Sequence, residues 1–306
     1  SIFPEKEMEG ILQQIRACFP LAPDAEWTCE CNPGTVTPAF LRMLKKNGVN
    51  RLSFGAQAAQ DELLRMLGRI HTWDDVIHSL EMARSWGFEN VNLDIMLGLP
   101  TQTEKDVQET LEKALALSPT HLSCYGLIVE EGTHLHRQVE KGLWQLPAEE
   151  TERKEYALCQ SLLSKNGFQQ YEISNFALPG FACRHNLDCW RRKEYIGIGS
   201  AACGFIENMR WQNPPALQDY LKGVPANEEI ISPQDAMFET MMLGLRTMEG
   251  VKEQAFLAMH GISLQQAYGE KLQKPLKEGL LYWQDGRVFL SRKGMDLQNR
   301  ILVELL

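Results

Sequence analysis

What this 306-residue chain lacks narrows its class before any motif is read. No run of about 18 uncharged apolar residues occurs, so no segment reads as a membrane-spanning helix. The opening Ser1-Ile-Phe-Pro-Glu-Lys-Glu has no basic stretch followed by an apolar one, so no secretory signal is visible. Positive charge is in deficit: 31 Lys and Arg stand against 40 Asp and Glu, a net charge of −9. That argues against nucleic acid and anionic membrane as default partners, because phosphate binding requires a basic face. The eight cysteines, at 18, 29, 31, 124, 159, 183, 189 and 203, form no CxxC pair and no disulfide framework. A chain of this length builds a core without covalent staples, so a reducing cytoplasm is the expected location. An initiator methionine is absent as well. The chain starts almost directly on a helical pattern, roughly Glu5 to Cys18, and is expected to be a piece of something longer.

What is present is an alternation of short strand and helix patterns. Strands are expected over Glu26 to Cys31, Asn50 to Phe54, Asn90 to Leu97 and His121 to Leu127. Helices are expected over Pro38 to Asn47, up to Trp86, over Glu104 to Leu117 and over Ala148 to Asn166. Such alternation indicates parallel βαβ units. Period-2 reading of the strands separates an apolar face (Trp27/Cys29/Cys31, Leu52/Phe54, Val91/Leu93/Ile95, Leu122/Cys124) from a polar one (Thr28/Glu30, Ser53/Gln57, Asn92/Asp94, Ser123/Tyr125). A doubly wound sheet meets helices on both faces and is apolar on both. A barrel can line its inner face and strand ends with ligand-binding groups. The expected fold class is therefore α/β, an incomplete (β/α) barrel over residues 1–205.

Beyond residue 206 the pattern changes. Pro-rich turns lead into helices near Gln234 to Met248 and Ser263 to Glu278. Asp285-Gly286 between two apolar runs signals a hairpin across Leu281 to Leu290, and a helix from Lys293 to Leu306 closes the chain. Residues 206–306 thus read as a helical, winged-helix-like domain. Residues 231–306 carry nine basic and nine acidic side chains, so a DNA-reading wing is not expected.

Two constellations carry chemistry. The polar row Glu30, Gln57 and Asp94, with Arg69 on the loop after Gly68, has two readings. It is either an internal network that satisfies itself or a site for a small zwitterionic, ribose-bearing ligand. In the second reading a carboxylate and an amide meet vicinal hydroxyls and the Arg grips a carboxylate. The run Tyr171 to Trp190 packs Glu172, Ser174, Asn175, Arg184, His185, Asn186 and Trp190 into twenty residues, more polar chemistry than a connector needs. His185 there is either an ordinary hydrogen-bonded loop residue or a haem ligand, with Arg184 pairing a propionate. Tyr195-Ile-Gly-Ile-Gly-Ser200 fits no dinucleotide fingerprint, and His134 and His136 lack a third metal ligand.

Taken in order, these motifs resemble the oxygen-independent coproporphyrinogen III oxidase-like branch of the radical SAM enzymes. The matching runs are Glu30-Cys-Asn-Pro-Gly34, Asn50-Arg-Leu-Ser-Phe-Gly-Ala-Gln57, Leu67-Gly-Arg-Ile-His71 and Asp94-Ile-Met-Leu-Gly-Leu-Pro-Thr-Gln-Thr103. Ser123-Cys-Tyr125, Glu130-Glu-Gly-Thr133, Tyr171 to Ala177, Arg184-His-Asn186 and Leu243-Gly-Leu-Arg246 complete them. The Arg-His-Asn-x-x-x-Trp element resembles the haem-chaperone subgroup. The resemblance implies a six-stranded partial barrel with S-adenosylmethionine and a [4Fe–4S] cluster at the strand ends. Glu30, Gln57, Arg69 and Asp94 would hold S-adenosylmethionine, and His185 would be the haem ligand. The implied partners are haem or a porphyrin and haem-acceptor proteins, with a homodimer among the assemblies it allows. Three departures stand out. The CxxxCxxC cluster motif and the glycine-rich second-strand motif are absent, as if the first two strands were cut away. Cys189 stands where the subgroup has Tyr, and Ala58 where the family has Ser. The alternatives implied are oxidative decarboxylation of coproporphyrinogen III and a cluster-less pseudoenzyme.

Overall fold

The computed structural model describes residues 3–306. Its contacts divide the chain into two compact units, one reaching Gln170 and including Ser174–Ala182, the other formed by Tyr171–Ile173 and Cys183–Leu306. The division at Cys183 lies ahead of residue 206, so Arg184 to Trp190 groups with the C-terminal unit. Among the described residues no helix is long and apolar enough to cross a membrane.

The first unit is built on one six-stranded sheet. Four parallel strands, β1 (Thr28–Cys31), β2 (Arg51–Gln57), β3 (Asn90–Leu97) and β4 (His121–Gly126), lie side by side in chain order. Two short strands, β5 (Gln169–Gln170) and β6 (Asn175–Ala177), complete it antiparallel, in the order β1-β2-β3-β4-β6-β5. The barrel is not closed, and β1 forms an edge. Helices Pro38–Lys46, Trp73–Ser85 and Glu104–Ala116 form the crossovers. Each begins at a threonine whose hydroxyl accepts a backbone N–H: Thr37, Thr72 and Thr103. At the latter two, Asp75 and Asp106 return the bond to form capping boxes. Leu52, Phe54, Leu93, Ile95, Leu122 and Cys124 point to the helices and are fully buried, which forms the core of this unit. Cys31 packs in that core and Cys29 against it.

The other face keeps the polar parity. Glu30, Ser53, Asn92 and His121 fall in register on one row, and Asp94, Ser123 and Asn175 on the next. β2 runs three residues further than its sequence pattern suggests, through an irregularity between Phe54 and Gln57.

The second unit carries two three-stranded antiparallel sheets. One, of β7 (Cys203–Ile206), β8 (Met209–Gln212) and β9 (Asn227–Ile230), is absent from the sequence reading. β9 is Asn-Glu-Glu-Ile with all four residues exposed, so no hydrophobic alternation marks it. The other has β12 (Arg287–Leu290) between β10 (Val251–Lys252) and β11 (Leu281–Gln284). Its hairpin turns at Asp285 and Gly286, both at positive φ, as the Asp-Gly pair requires. With helices Pro233–Gly244, Glu253–His260 and Leu264–Lys277 around a core of Met241, Phe256, Leu264, Leu272, Val288 and Ile301, it has the expected helices-plus-hairpin make-up. The closing helix breaks into two at Leu297, which leaves the helical region at φ −116 and ψ 20.

Candidate functional site

The C-terminal ends of β1 to β3 and the loop after Gly68 gather the residues the sequence singles out. Gln57 ends β2 in the left-handed region, φ +64, which a residue with a Cβ occupies only when its surroundings hold it there. Its side chain is buried, and the Tyr125 hydroxyl donates to its Oε1 at 3.2 Å. Gly55 makes that placement possible: a Cβ there would stand 2.7 Å from Gln57 Nε2 and 3.8 Å from Arg69 Nη1. Amide and guanidinium therefore flank one small cradle above a glycine. Arg69 also donates to Asn32 Oδ1 at 3.4 Å. Burial, and the nearby Asp94 charge, push the Tyr125 phenol up to about 12, so it stays a neutral donor at physiological pH.

Asp94 is the most elaborately held group. Asn92 Nδ2 donates to Asp94 Oδ1 at 2.7 Å, and the Ser53 hydroxyl faces Oδ2 at 3.4 Å. Burial raises the Asp94 pKa, the hydrogen bond from Asn92 opposes this, and the charges of Glu30 and Arg51 add opposite contributions. Glu30, at the end of β1, is exposed, where the sequence reading treats it as a buried carboxylate needing partners. His121, at the start of β4, is fully buried beside Arg51; desolvation first and that charge second lower its pKa to about 3.

The turn that follows β3 is braced from behind. Gly98, at φ +71, donates its N–H to Glu155 Oε2 at 2.9 Å, and Gln102 closes the turn by accepting from Leu99 N and donating to Met96 O. Sequence reading misses Glu155 because it comes from helix Glu149–Lys165, more than fifty residues away.

His185 lies in the other unit. The sequence reads its surroundings as a loop, but Arg184–Trp190 is a two-turn helix. His185 is exposed, and its Nε2 lies 3.7 Å from Cys189 Sγ one turn on. The opposite side of the helix is anchored: Asn186 Nδ2 donates to the Tyr171 hydroxyl at 3.5 Å, and the Arg246 guanidinium stacks over Trp190 at 4.5 Å. Arg246 also pairs with fully buried Glu172 at 3.4 Å, and Tyr171–Ile173 exchanges backbone hydrogen bonds with Arg246 and Met248. Arg246 is thus the hidden brace of the His185 helix, and its only sequence signal is the Leu243-Gly-Leu-Arg246 run.

The polar groups of the first unit, two carboxylates together with the amide and guanidinium that flank the Gly55 cradle, suit the ammonium, carboxylate and ribose hydroxyls of S-adenosylmethionine. No iron–sulfur cluster fits the described residues, since no group of three His, Cys, Asp or Glu side chains among them is arranged to hold a metal.

Comparison with known proteins agrees on one lineage. The radical SAM superfamily profile matches residues 3–114 and that of the HemN C-terminal domain residues 231–297. The chain is 35% identical to the heme chaperone HemW of Lactococcus lactis, over 100% of this chain and 82% of that protein. It is 36% identical to the heme chaperone HemW of Bacillus subtilis, over 97% and 80%. Among solved structures, the coproporphyrinogen III oxidase HemN of Escherichia coli superposes with a TM-score of 0.84 at 20% identity, over 99% of this chain and 74% of that one. At that identity the likeness speaks for the fold alone.

Proposed function

Since the chain belongs to the radical SAM family, in the group of the heme chaperones, we propose that it binds haem and delivers it to acceptor haemoproteins. Membership of the superfamily implies S-adenosylmethionine and a [4Fe–4S] cluster as cofactors. In this reading Gln57 and Arg69 grip the amino-acid end of S-adenosylmethionine, while Asp94 and Glu30 accept from its hydroxyl and ammonium groups. Tyr125 fixes Gln57, and Glu155 fixes the Gly98 turn beside them.

The observation that supports the haem role is the Arg184–Trp190 helix. It presents His185 to solvent while Trp190 and Asn186 secure its inner side, which is how a ligand to an incoming metalloporphyrin has to be displayed. Haem titration of the full-length protein and of His185→Ala tests this. The variant is expected to lose at least tenfold in affinity and to change its Soret band. An unchanged band and affinity remove His185 as the ligand. Anaerobic turnover of coproporphyrinogen III by the reconstituted protein would favour the oxidase reading instead.

A further inference from the structure

Asn92 is saturated with hydrogen bonds in a way that admits one arrangement. Its Nδ2 has Ser53 Oγ at 2.7 Å and Asp94 Oδ1 at 2.7 Å. Its Oδ1 has His121 Nδ1 at 2.5 Å and Ser123 Oγ at 3.2 Å. A carboxylate only accepts, so the amide nitrogen must face Asp94 and the amide oxygen must face His121. His121, neutral because burial and Arg51 disfavour its charge, must then carry its proton on Nδ1 and donate. Ser53 receives one Asn92 proton and has its own for Asp94 Oδ2. Both carboxylate oxygens thus meet donors whose directions are set two layers down, in the floor of the sheet.

We propose that Asn92 is the positioning residue of the S-adenosylmethionine site, aiming the Asp94 carboxylate through a hydrogen-bond relay that starts at His121. This rests on the reading that Asp94 contacts S-adenosylmethionine. It goes beyond that reading by assigning the orientation and charge of that carboxylate to a side chain that need not touch the ligand. The register explains why Asn92 can do this. It shares its strand face with Asp94, two residues on, and it is the Cα partner of both Ser53 on β2 and His121 on β4. One side chain therefore reaches three strands.

The surrounding charges act in the same direction. Burial pushes the Asp94 pKa up, and so does the Glu30 carboxylate from β1. Arg51 from β2 and the Asn92 hydrogen bond pull it down, while Tyr125 and Cys124 on β4 are neutral groups that feel the Asp94 charge. Removing the Asn92 donor leaves burial less opposed, so Asp94 takes up its proton at higher pH.

The test is equilibrium binding of S-adenosylmethionine to the full-length protein across a pH series. Wild-type affinity is expected to fall on the acid side as Asp94 protonates. Asn92→Ala is expected to move that acid limb upward by about one pH unit, a roughly tenfold weaker affinity within the shifted window. Ser53→Ala, a milder change that keeps the protein foldable, is expected to move it the same way by less. Asp94→Asn is expected to abolish the limb. An acid limb that stays in place in both Asn92→Ala and Ser53→Ala, while Asp94→Asn abolishes it, overturns the role of Asn92 alone. A limb that persists in Asp94→Asn overturns the underlying reading of Asp94.

Discussion

Replacing Gly55 by Ala probes the cradle of the candidate site with a single methyl group. The backbone at Gly55 is not in the left-handed region, so alanine adds no dihedral strain and the effect is one of space. The new Cβ would stand 2.7 Å from Gln57 Nε2, where ordinary contact begins at 3.4 Å. Gln57 has to retreat by roughly 0.7 Å or more, a change of the size that overpacking studies find costly. It cannot do so freely, because its backbone is fixed at φ +64 and its Oε1 holds the Tyr125 hydroxyl. Losing that hydrogen bond costs about 1 kcal/mol, and overpacking a closed site adds about 1–2 kcal/mol. A destabilisation of about 2–3 kcal/mol in urea is therefore expected, with S-adenosylmethionine affinity reduced about tenfold by the displaced amide. The double variant Gly55→Ala/Gln57→Ala removes the group that is struck. Its stability should return to within about 1 kcal/mol of Gln57→Ala, whereas its affinity should not recover. Wild-type stability and affinity in Gly55→Ala would refute the cradle.

Further expectations concern both units. Arg246→Ala removes the stack on Trp190 and one partner of the buried Glu172 carboxylate, so a loss of about 1–3 kcal/mol is expected in chemical denaturation; a loss under about 0.5 kcal/mol would show that Arg246 braces nothing. Gly250→Ala would put a Cβ 2.2 Å from the Val288 carbonyl at φ +71, so the C-terminal unit should lose more than about 3 kcal/mol or fail to fold, and a wild-type thermal melt would contradict this. His121 has a folded pKa of about 3, below its unfolded value near 6.5, so the unfolded chain binds the extra proton. Its contribution is present above pH 6.5 and lost as pH falls toward 3, up to about 5 kcal/mol in all. His121→Gln should flatten that part of the stability–pH curve; an identical slope would mean His121 is not the group responsible.

Much of the fold was written in local signals. Period-2 alternation in β1 to β4, threonine caps before the crossover helices and the Asp285-Gly286 turn each act over a few residues, so the sequence displays them directly. The same parity places Glu30 and Asp94 on one strand face, but not Gln57, which the irregularity in β2 sets opposite Ile95. What stayed hidden depends on distant partners. β9 has no buried face to leave a pattern, and helix Arg184–Trp190 is too short for helical periodicity to emerge. The extension of β2 to Gln57 needs an irregularity that no residue type announces. Asn92 is legible as a polar-face residue, but its role appears only when the register sets it beside Ser53 and His121. Arg246 and Glu172 lie 74 positions apart, and only folding makes them one brace.

The most direct test of the haem-chaperone reading is transfer itself. Full-length protein loaded with haem is mixed with an apo-haemoprotein, and the Soret band of the acceptor is followed under conditions where free haem is scavenged. Appearance of holo-acceptor faster than haem escapes to the scavenger, and its loss in His185→Ala, is the predicted result. Haem that reaches the acceptor only through the free pool, or at the same rate from the variant, would contradict it.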